Sequence, residues 1–440
     1  MTAEAVPGAQ ACFLEGLTDA DAVTLWRALG NTGSRAELVE LFATFGNYPL
    51  LIRALAGEVA RFRPAPSDFA AWRQANPGFD PFSSSLVQRK AHVLEYALRG
   101  LTEQELRVLH TVAAFRWPTV FLTLAALLVG DDQPCATQVE LDQVLTDLED
   151  RGLLGWDRVS NRYDLHPVVR GVVWSSLDPD ARHGVDLRLA RHLGKAPEVD
   201  QNSVTSVDDL SNTIELYHTL VRLGQLNDAS TLLGSRIFDS LMWLGGYRYL
   251  AELARVVIAD PDWPQKAASE DLVKAAYVCV IMGVGYQFAG DPVRALDSYD
   301  LFPGQLEENL VAIKIVLQSM ALCQHGCLAE AERCARAALA QFDLTEGIIG
   351  TAMTALGSVL LYRGLSEEGA AWLGDYRVEI DEEPFGYYFS LYELCWAALR
   401  RGDVVTAQTF ANWLDSLASA RERDALLRVC AAWRGNGPGR

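Results

Sequence analysis

Apolar positions recur along this chain with the period of an α-helix. They fall three or four residues apart, as at Leu38, Leu41, Phe42 and Phe45, and this spacing places them on one face of a helix. The two-residue alternation that predicts β-strands is scarce. The pattern therefore predicts a mainly all-α protein.

Residues 1–62 are interpreted as a small helical domain of three short helices. Thr18 is placed to cap the first helix and Ser34 the second, because a side-chain hydroxyl there can accept a free backbone N–H. Pro49 opens the third helix in its first turn, where its missing N–H costs no hydrogen bond. Residues 63–83 are rich in proline and glycine and are interpreted as a linker.

Residues 84–196 are interpreted as a winged-helix domain. Thr102 and Glu105 have the spacing of a capping box, in which each side chain accepts a backbone N–H of the other residue. Two short strands around a turn at 160–161 follow the fourth helix and predict a small β-wing. The predicted helices lie near 85–99, 102–115, 119–129, 137–151, 167–176 and 179–194.

Residues 197–440 are interpreted as a tetratricopeptide-like α-solenoid. A Gly-x-x-x-x-Ala frame recurs there, and its period of under 40 residues is typical of stacked helical hairpins. Glycine would supply the left-handed turn within each hairpin, and alanine would let the two helices approach closely. The frame occurs at Gly224–Ala229, Gly290–Ala295, Gly326–Ala331 and Gly402–Ala407, at Gly364–Gly369 with glycine for alanine, and at Gly246–Ala251 in the long gap.

Composition describes a soluble, globular chain of two or three domains. It has 440 residues, of which 50% are hydrophobic and 22% charged. No apolar run is long enough to span a bilayer, and the N-terminus lacks a secretory signal. The eight cysteines form no Cys-x-x-Cys pair and favour a reducing compartment. We therefore expect a cytoplasmic protein with no membrane partner.

The motifs of the common catalytic sites are missing from the sequence. It has no Gly-x-x-x-x-Gly-Lys-Ser/Thr loop, whose N–H groups and lysine hold nucleotide phosphates, and no Gly-x-Ser-x-Gly or His-Glu-x-x-His motif. Cys323 and Cys327 are one helical turn apart but lack companion ligands, so core packing is favoured over metal binding. We expect no catalytic residues, no metal and no enzymatic activity in this chain.

The predicted winged helix raises the question of DNA binding. Its recognition helix would be 137–151, which contains five acidic residues and one basic residue. A helix in the major groove normally offers Lys or Arg to phosphates and bases. The net charge of −19 adds to the repulsion. The sequence therefore argues against nucleic acid as a partner.

His166 is the one histidine whose position predicts a binding role. It ends a predicted strand and lies next to Pro167 at the start of a predicted helix. A histidine there can donate to an anion, and the N-terminus of the helix adds its own N–H groups. Taken by itself, such a histidine is more often structural.

A cluster of aromatic and acidic residues between 375 and 388 is a candidate partner-binding surface. Its composition suits a basic peptide or a partner domain held by the solenoid, and a plain solvated loop is the alternative. The candidate residues are Tyr376, Tyr387, Tyr388, Asp381, Glu382 and Glu383.

Three passages together resemble the part of the STAND signal-transduction ATPases that follows the nucleotide-binding core, a class that includes the NB-ARC proteins of apoptosis and plant immunity. Phe13–Ala22 and Gly46–Gly57 resemble the helical domain with its Gly-x-Pro motif. Val87–Leu98 through Leu165-His166-Pro167 resembles the winged-helix domain, which ends in a variant of a Met-His-Asp motif. The repeats resemble tetratricopeptide repeats, a common sensor in this class.

The resemblance implies roles for two residues. The residue matching Pro49 packs near the adenine of ADP, and the residue matching His166 contacts the β-phosphate and holds the resting state. Leu165 and Pro167 replace the Met and Asp of the motif, and the Walker A and Walker B segments are absent. No cofactor is therefore expected in this chain alone. ADP or ATP would be held with a nucleotide-binding domain supplied in cis or in trans.

The sequence thus predicts the regulatory and sensor segment of a STAND-type signalling NTPase. The segment would hold the ADP-bound resting state and sense a trigger through its repeats. Met1 is expected to begin part of a larger protein, and a stand-alone remnant or partner is the other possibility. Two other functions remain open: a tetratricopeptide scaffold for protein–protein interaction and, less favoured, a winged-helix transcription regulator.

Overall fold

The computed structural model describes most of the chain, and it divides the chain into two compact units, Met1–Lys195 and Ala196–Arg440. The described residues are mainly helical, with one small sheet, as the sequence predicts. They comprise 16–79, 86–197, 199–259, 269–303, 308–341, 346–375, 392–399 and 401–417.

The first unit begins with three helices whose starts agree with the sequence prediction. They are α1 (Asp19–Ala28), α2 (Arg35–Thr44) and α3 (Pro49–Ala60). The Thr18 hydroxyl accepts the N–H of Asp21, and the Ser34 hydroxyl accepts the N–H of Glu37. Pro49 is the first residue of α3. The predicted caps are confirmed.

A fourth helix, α4 (Phe69–Ala75), lies in the stretch interpreted as a linker. Asp68 caps it by accepting the N–H of Ala71. Phe69 and Trp72 are fully or almost fully buried, and Phe69 packs edge-on against Trp26 of α1. The helix has only seven residues, or two turns, which is too short to show a clear hydrophobic period. The prolines and glycines around it favoured the interpretation as a linker.

Next come α5 (Leu86–Arg99), α6 (Glu103–Ala114), α7 (Phe121–Leu128) and α8 (Gln138–Asp150). Both hydrogen bonds of the predicted Thr102–Glu105 capping box are present. Helix α7 begins two residues later than expected, because 119 and 120 are extended.

The sheet has three short strands, one more than the sequence predicts. They are β1 (Thr119–Val120), β2 (Gly155–Asp157) and β3 (Arg162–Asp164), in the order β1-β3-β2 with antiparallel neighbours. Tyr163 of the middle strand pairs with Trp156 on one side and Thr119 on the other. A two-residue strand has no periodicity to detect, so only the β2–β3 hairpin was predictable. Helices α9 (Pro167–Ser176) and α10 (Pro179–Leu193) complete this unit.

In the second unit, helices that follow one another in sequence pack side by side, as a helical solenoid requires. A π-helical turn at Leu233–Ile237 joins α12 to α13. The helices are α11 (Ser211–Arg222), α12 (Leu226–Leu232), α13 (Phe238–Leu244), α14 (Tyr247–Ile258), α15 (Ser269–Phe288), α16 (Pro292–Asp300), α17 (Glu308–His325), α18 (Leu328–Gln341), α19 (Glu346–Tyr362), α20 (Ser366–Asp375), α21 (392–399) and α22 (Val404–Leu417).

The repeated Gly-x-x-x-x-Ala frame marks the turn inside each hairpin. The glycines at 224, 290, 326, 364 and 402 all have φ between 70° and 91°, a conformation that favours glycine. The alanines at 229, 295, 331 and 407 are at most 3% exposed. At 369 glycine replaces alanine, because a Cβ there would lie 2.8 Å from the carbonyl oxygen of Gly357.

The frame assigned to Gly246–Ala251 is wrong by one residue. The left-handed glycine of this turn is Gly245, with φ of 74°, and Gly246 has φ of −77°. The N–H of Gly246 donates to the carbonyl of Leu241, as the residue after the turn glycine does in the other hairpins. Two adjacent glycines satisfy the same letter pattern, and backbone geometry alone separates them.

A second small position lies seven residues before the turn glycine in the last four hairpins. Gly283, Ser319, Gly357 and Cys395 occupy it. The Ser319 hydroxyl donates to the carbonyl of Ala331 at 2.7 Å, and the Cys395 thiol donates to the carbonyl of Ala407 at 3.4 Å. Small residues on both helices allow this close approach. The position is visible in the sequence once the turn is aligned, and the sequence analysis missed it.

Candidate functional site

A contact between Tyr48 and His166 brings the two predicted site residues into one place. Tyr48 immediately precedes Pro49, and its hydroxyl lies 3.1 Å from Nε2 of His166. The two rings meet edge to face with centroids 5.8 Å apart. The nucleotide-binding roles given to Pro49 and His166 stay predictions, and their shared position is the geometric finding.

Helices α3 and α9 begin in the same way at this contact. Tyr48 is the N-cap of α3 and His166 the N-cap of α9, and a proline follows each of them at the first helical position. His166 Nδ1 accepts the N–H of Val168 at 3.2 Å, whereas Tyr48 makes no side-chain cap. The N-cap side chains of the two helices therefore contact each other, and each helix has the positive end of its dipole at its N-terminus.

The hydrogen bonds of His166 define its tautomer. Because Nδ1 accepts the Val168 N–H, the neutral ring carries its hydrogen on Nε2 and donates it to the Tyr48 hydroxyl. Burial among neighbouring atoms lowers the pKa of His166, and the negative charge of Asp164 opposes that effect. His166 is therefore a neutral hydrogen-bond donor near pH 7.

The loop before α3 positions Tyr48 through Asn47. Gly46 and Asn47 both have left-handed backbones, with φ of 73° and 50°. The Asn47 amide donates to the Leu17 carbonyl at 2.9 Å and to Asp19 Oδ1 at 2.8 Å, and the Leu17 N–H donates to the Asn47 carbonyl at 3.1 Å. These bonds tie the start of α3 to the start of α1.

An ion pair positions His166 from the other side. Asp164, the last residue of β3, pairs with Arg170 in the first turn of α9. The Arg170 N–H also donates to the His166 carbonyl at 2.9 Å. Asp164 is thereby paired with a cation one helical turn from His166, and its negative charge still raises the pKa of the histidine.

Helix α3 is held against the end of α8 by a glycine and an ion cluster. A Cβ on Gly57 would lie 2.7 Å from the Cα of Arg151, so the two backbones touch. The Arg151 guanidinium lies 3.3 Å from Glu105 and 3.6 Å from Glu58. Burial raises the pKa of Glu58, and the positive charge of Arg151 opposes that effect. This packing fixes the helix that carries Pro49.

The acidic side chains of α8 lie outside the core. Leu141, Val144, Leu145 and Leu148 point into the core. Glu140 accepts the N–H of Ala136 at 2.7 Å, which is the main reason that its pKa is lowered. Asp147 pairs with Arg61 of the turn after α3 at 3.0 Å. The helix therefore presents no cationic row of the kind that reads DNA.

The other predicted sites gain no support from the structure. The candidate partner-binding residues lie outside the described residues: Tyr376, Tyr387, Tyr388, Asp381, Glu382 and Glu383. Within the part of the chain that is described, no group of three or more His, Cys, Asp and Glu residues could hold a metal. Cys323 is buried, which raises its pKa, and Cys327 is exposed, so the two cysteines do not converge.

None of the described helices is both long and apolar enough to cross a bilayer.

Tyr48 is the functional candidate that sequence reasoning missed. An N-cap is normally Ser, Thr, Asp or Asn, so an aromatic residue before the helix-opening Pro49 was a signal. The same aromatic–proline order at His166-Pro167 would have linked the two positions. Their contact joins residues 118 positions apart, and only the tertiary structure makes it visible.

Comparison with solved structures finds similarity to a signalling protein. The chain is similar to the crystal structure of a STAND protein with a tetratricopeptide repeat sensor from Pyrococcus horikoshii, with 15% identity and a TM-score of 0.49. The match covers 96% of this chain and 57% of the other, so the chain spans a little over half of that protein's length. No protein-family model matches the sequence, and no curated protein matches it.

Proposed function

We propose that this chain is the regulatory and sensor segment of a STAND-type signalling NTPase, with Pro49 and His166 contributing to an ADP-bound resting state. The observation that carries the proposal is the Tyr48–His166 contact. It joins the start of α3, where the adenine-side proline is expected, to the start of α9, where the phosphate-side histidine is expected.

The chemistry of this site suits an anion. A neutral His166 has one ring N–H to donate, and the Tyr48 hydroxyl accepts it. A phosphate oxygen is a stronger acceptor than a phenol oxygen because it is charged. Two helix N-termini add a positive potential at the same place. The ion pair with Arg170 offsets part of the repulsion between Asp164 and an anion.

Release of ADP from the protein that joins this chain to a nucleotide-binding domain tests the role of His166. Replacing His166 with Ala removes one hydrogen bond to a charged group, so release should accelerate on the order of tenfold. Tyr48→Phe should slow release, because it removes the acceptor that competes for the Nε2 hydrogen. Fluorescent ADP displaced by excess unlabelled ADP measures both.

His183→Ala is the matched control, because His183 is an exposed histidine on α10 away from this contact. It should leave the release rate unchanged. If His166→Ala also leaves the rate of ADP release unchanged, the proposed role of His166 in the ADP-bound resting state is wrong. By itself the chain is proposed not to hydrolyse ATP, and hydrolysis that a substitution within the chain abolishes would contradict this.

We propose that the solenoid binds a protein or peptide, with the acidic residues between 375 and 388 favouring a basic partner. The alternative, a scaffold with no nucleotide switch, shares this partner class and differs in the ADP test. The cysteine content supports the proposal of a cytoplasmic location. Neither nucleic acid nor a membrane is a proposed partner.

A further inference from the structure

A cavity of about 210 Å³ lies in the first unit between α6, α10 and the loop after α7. Helix α6 contributes Arg107 and His110, and α10 contributes Arg188. These residues do not belong to the Tyr48–His166 contact, and no step of the proposed nucleotide switch uses them.

Two arginines line this cavity, Arg107 and Arg188; both are exposed, and no ion pair is formed by either among the described residues. Arg107 donates to the backbone carbonyl of Asp132 at 3.2 Å, and Arg188 makes no hydrogen bond or ion pair within the described chain. The two guanidinium groups are close enough that Arg107 lowers the pKa of Arg188, although burial is the larger cause. Two arginines on helices that pack together therefore lie at one cavity, in a chain whose net charge is −19.

The remaining lining is mixed. Leu128, Leu177 and Val185 are apolar, Thr111 and Gln133 are polar, and Gly184 of α10 has no side chain to fill the space. A Cβ on Gly184 would meet only the Nη1 atom of Arg188, at 3.9 Å. His110 adds a third polar group, and burial lowers its pKa, so its neutral ring can donate one N–H.

We propose that this cavity binds a small molecule that carries one oxyanion group on a short apolar body. The guanidinium groups of Arg107 and Arg188 would hold the oxyanion, since their planar N–H pairs suit phosphate and related groups. The apolar wall would cover the body of the ligand. The cavity volume of about 210 Å³ is large enough for a phosphorylated ring or short chain.

Titration of the full chain with phenyl phosphate tests the proposal. We expect saturable binding at one site by calorimetry, and weaker binding of inorganic phosphate, which lacks the apolar body. Arg188→Gln and Arg107→Gln should each lower the affinity for phenyl phosphate on the order of tenfold, because each removes charge-assisted hydrogen bonds.

Arg191→Gln is the matched control, because Arg191 is exposed on α10 three residues after Arg188 and outside the cavity. It should leave the affinity unchanged. If Arg191→Gln lowers the affinity for phenyl phosphate as much as Arg188→Gln does, the ligand responds to the overall positive charge of α10. That result would overturn the proposal. Benzyl alcohol binding as tightly as phenyl phosphate would also overturn it, because the arginines would then contribute nothing.

A substitution that fills the cavity distinguishes binding inside it from binding to the protein surface. Gly184→Leu places a side chain in the cavity and should abolish binding of phenyl phosphate. Gly171→Leu adds the same side chain on an exposed part of α9, where nothing lies within 4 Å, and should not affect it. Thermal unfolding of each variant confirms that it folds. Unchanged binding by folded Gly184→Leu would contradict the site.

Discussion

A single histidine shows how neighbouring atoms set chemistry at the residue scale. His166 is exposed, yet packing around its ring lowers its pKa and the Val168 N–H assigns its tautomer. The unfolded chain binds the proton more tightly than the folded chain does. His166 therefore lowers the free energy of unfolding as the pH falls through 6.5, the ordinary pKa of histidine. Above that pH this loss of stability is absent.

Proton and nitrogen NMR of the ring test this account. The His166 midpoint should lie below 6.5, and the neutral ring should carry its hydrogen on Nε2. Asp164→Asn should lower the midpoint further, because Asp164 is the group that raises it. A neutral ring protonated on Nδ1, or a midpoint that rises in Asp164→Asn, would contradict the assigned geometry.

At the scale of elements, close backbone contacts hold the helices that carry the site. Gly57 of α3 lies against the Cα of Arg151, where a Cβ would approach to 2.7 Å. Gly57→Ala should destabilise the first unit by about 1–3 kcal/mol, because the backbones must separate. Urea unfolding measures the change.

Gly171→Ala is the control for helix propensity. Gly171 is a helical glycine in α9 with nothing within 4 Å of its added Cβ. Gly171→Ala should raise the free energy of unfolding by about 0.5–1 kcal/mol, because alanine loses less backbone entropy than glycine when a helix forms. If Gly57→Ala stabilises to the same extent as Gly171→Ala, the inferred α3–α8 contact is wrong.

The hairpin turns of the solenoid depend on backbone conformation alone. Gly364 has φ of 85° and open space around its Cβ position. Gly364→Ala should lower the free energy of unfolding by about 1–2 kcal/mol, because alanine disfavours a left-handed backbone. The open space around the added Cβ means that no steric clash contributes. Asparagine tolerates that region, as Asn47 does, so Gly364→Asn should cost less. Thermal unfolding of both variants gives the comparison, and equal losses would exclude the backbone explanation.

At the scale of the whole molecule, charge decides the class of partner. The net charge of −19 and the acidic α8 oppose binding to a phosphate backbone. We expect no shift of duplex DNA in a gel at low salt, the condition that most favours such binding. A shift that weakens as salt rises would instead support the transcription-regulator alternative.

Local chemistry determined most of the secondary structure from the sequence alone. The caps at Thr18, Ser34 and Thr102 and the left-handed glycines act within a few residues, so a short window contains their whole cause. The helical period and the repeat frame likewise predicted a mainly α protein that ends in a solenoid. The short elements α4 and β1 were not predicted, because so few residues show no hydrophobic period.

Only the tertiary structure decided which distant residues meet. Tyr48 joins His166 across 118 positions, Gly57 touches Arg151, and two arginines of different helices face one cavity. The choice of Gly245 over Gly246 also needed the backbone. These pairings depend on how helices pack and at what angle, which no local window of sequence contains. The site residues could be proposed singly from the sequence, and their arrangement could not.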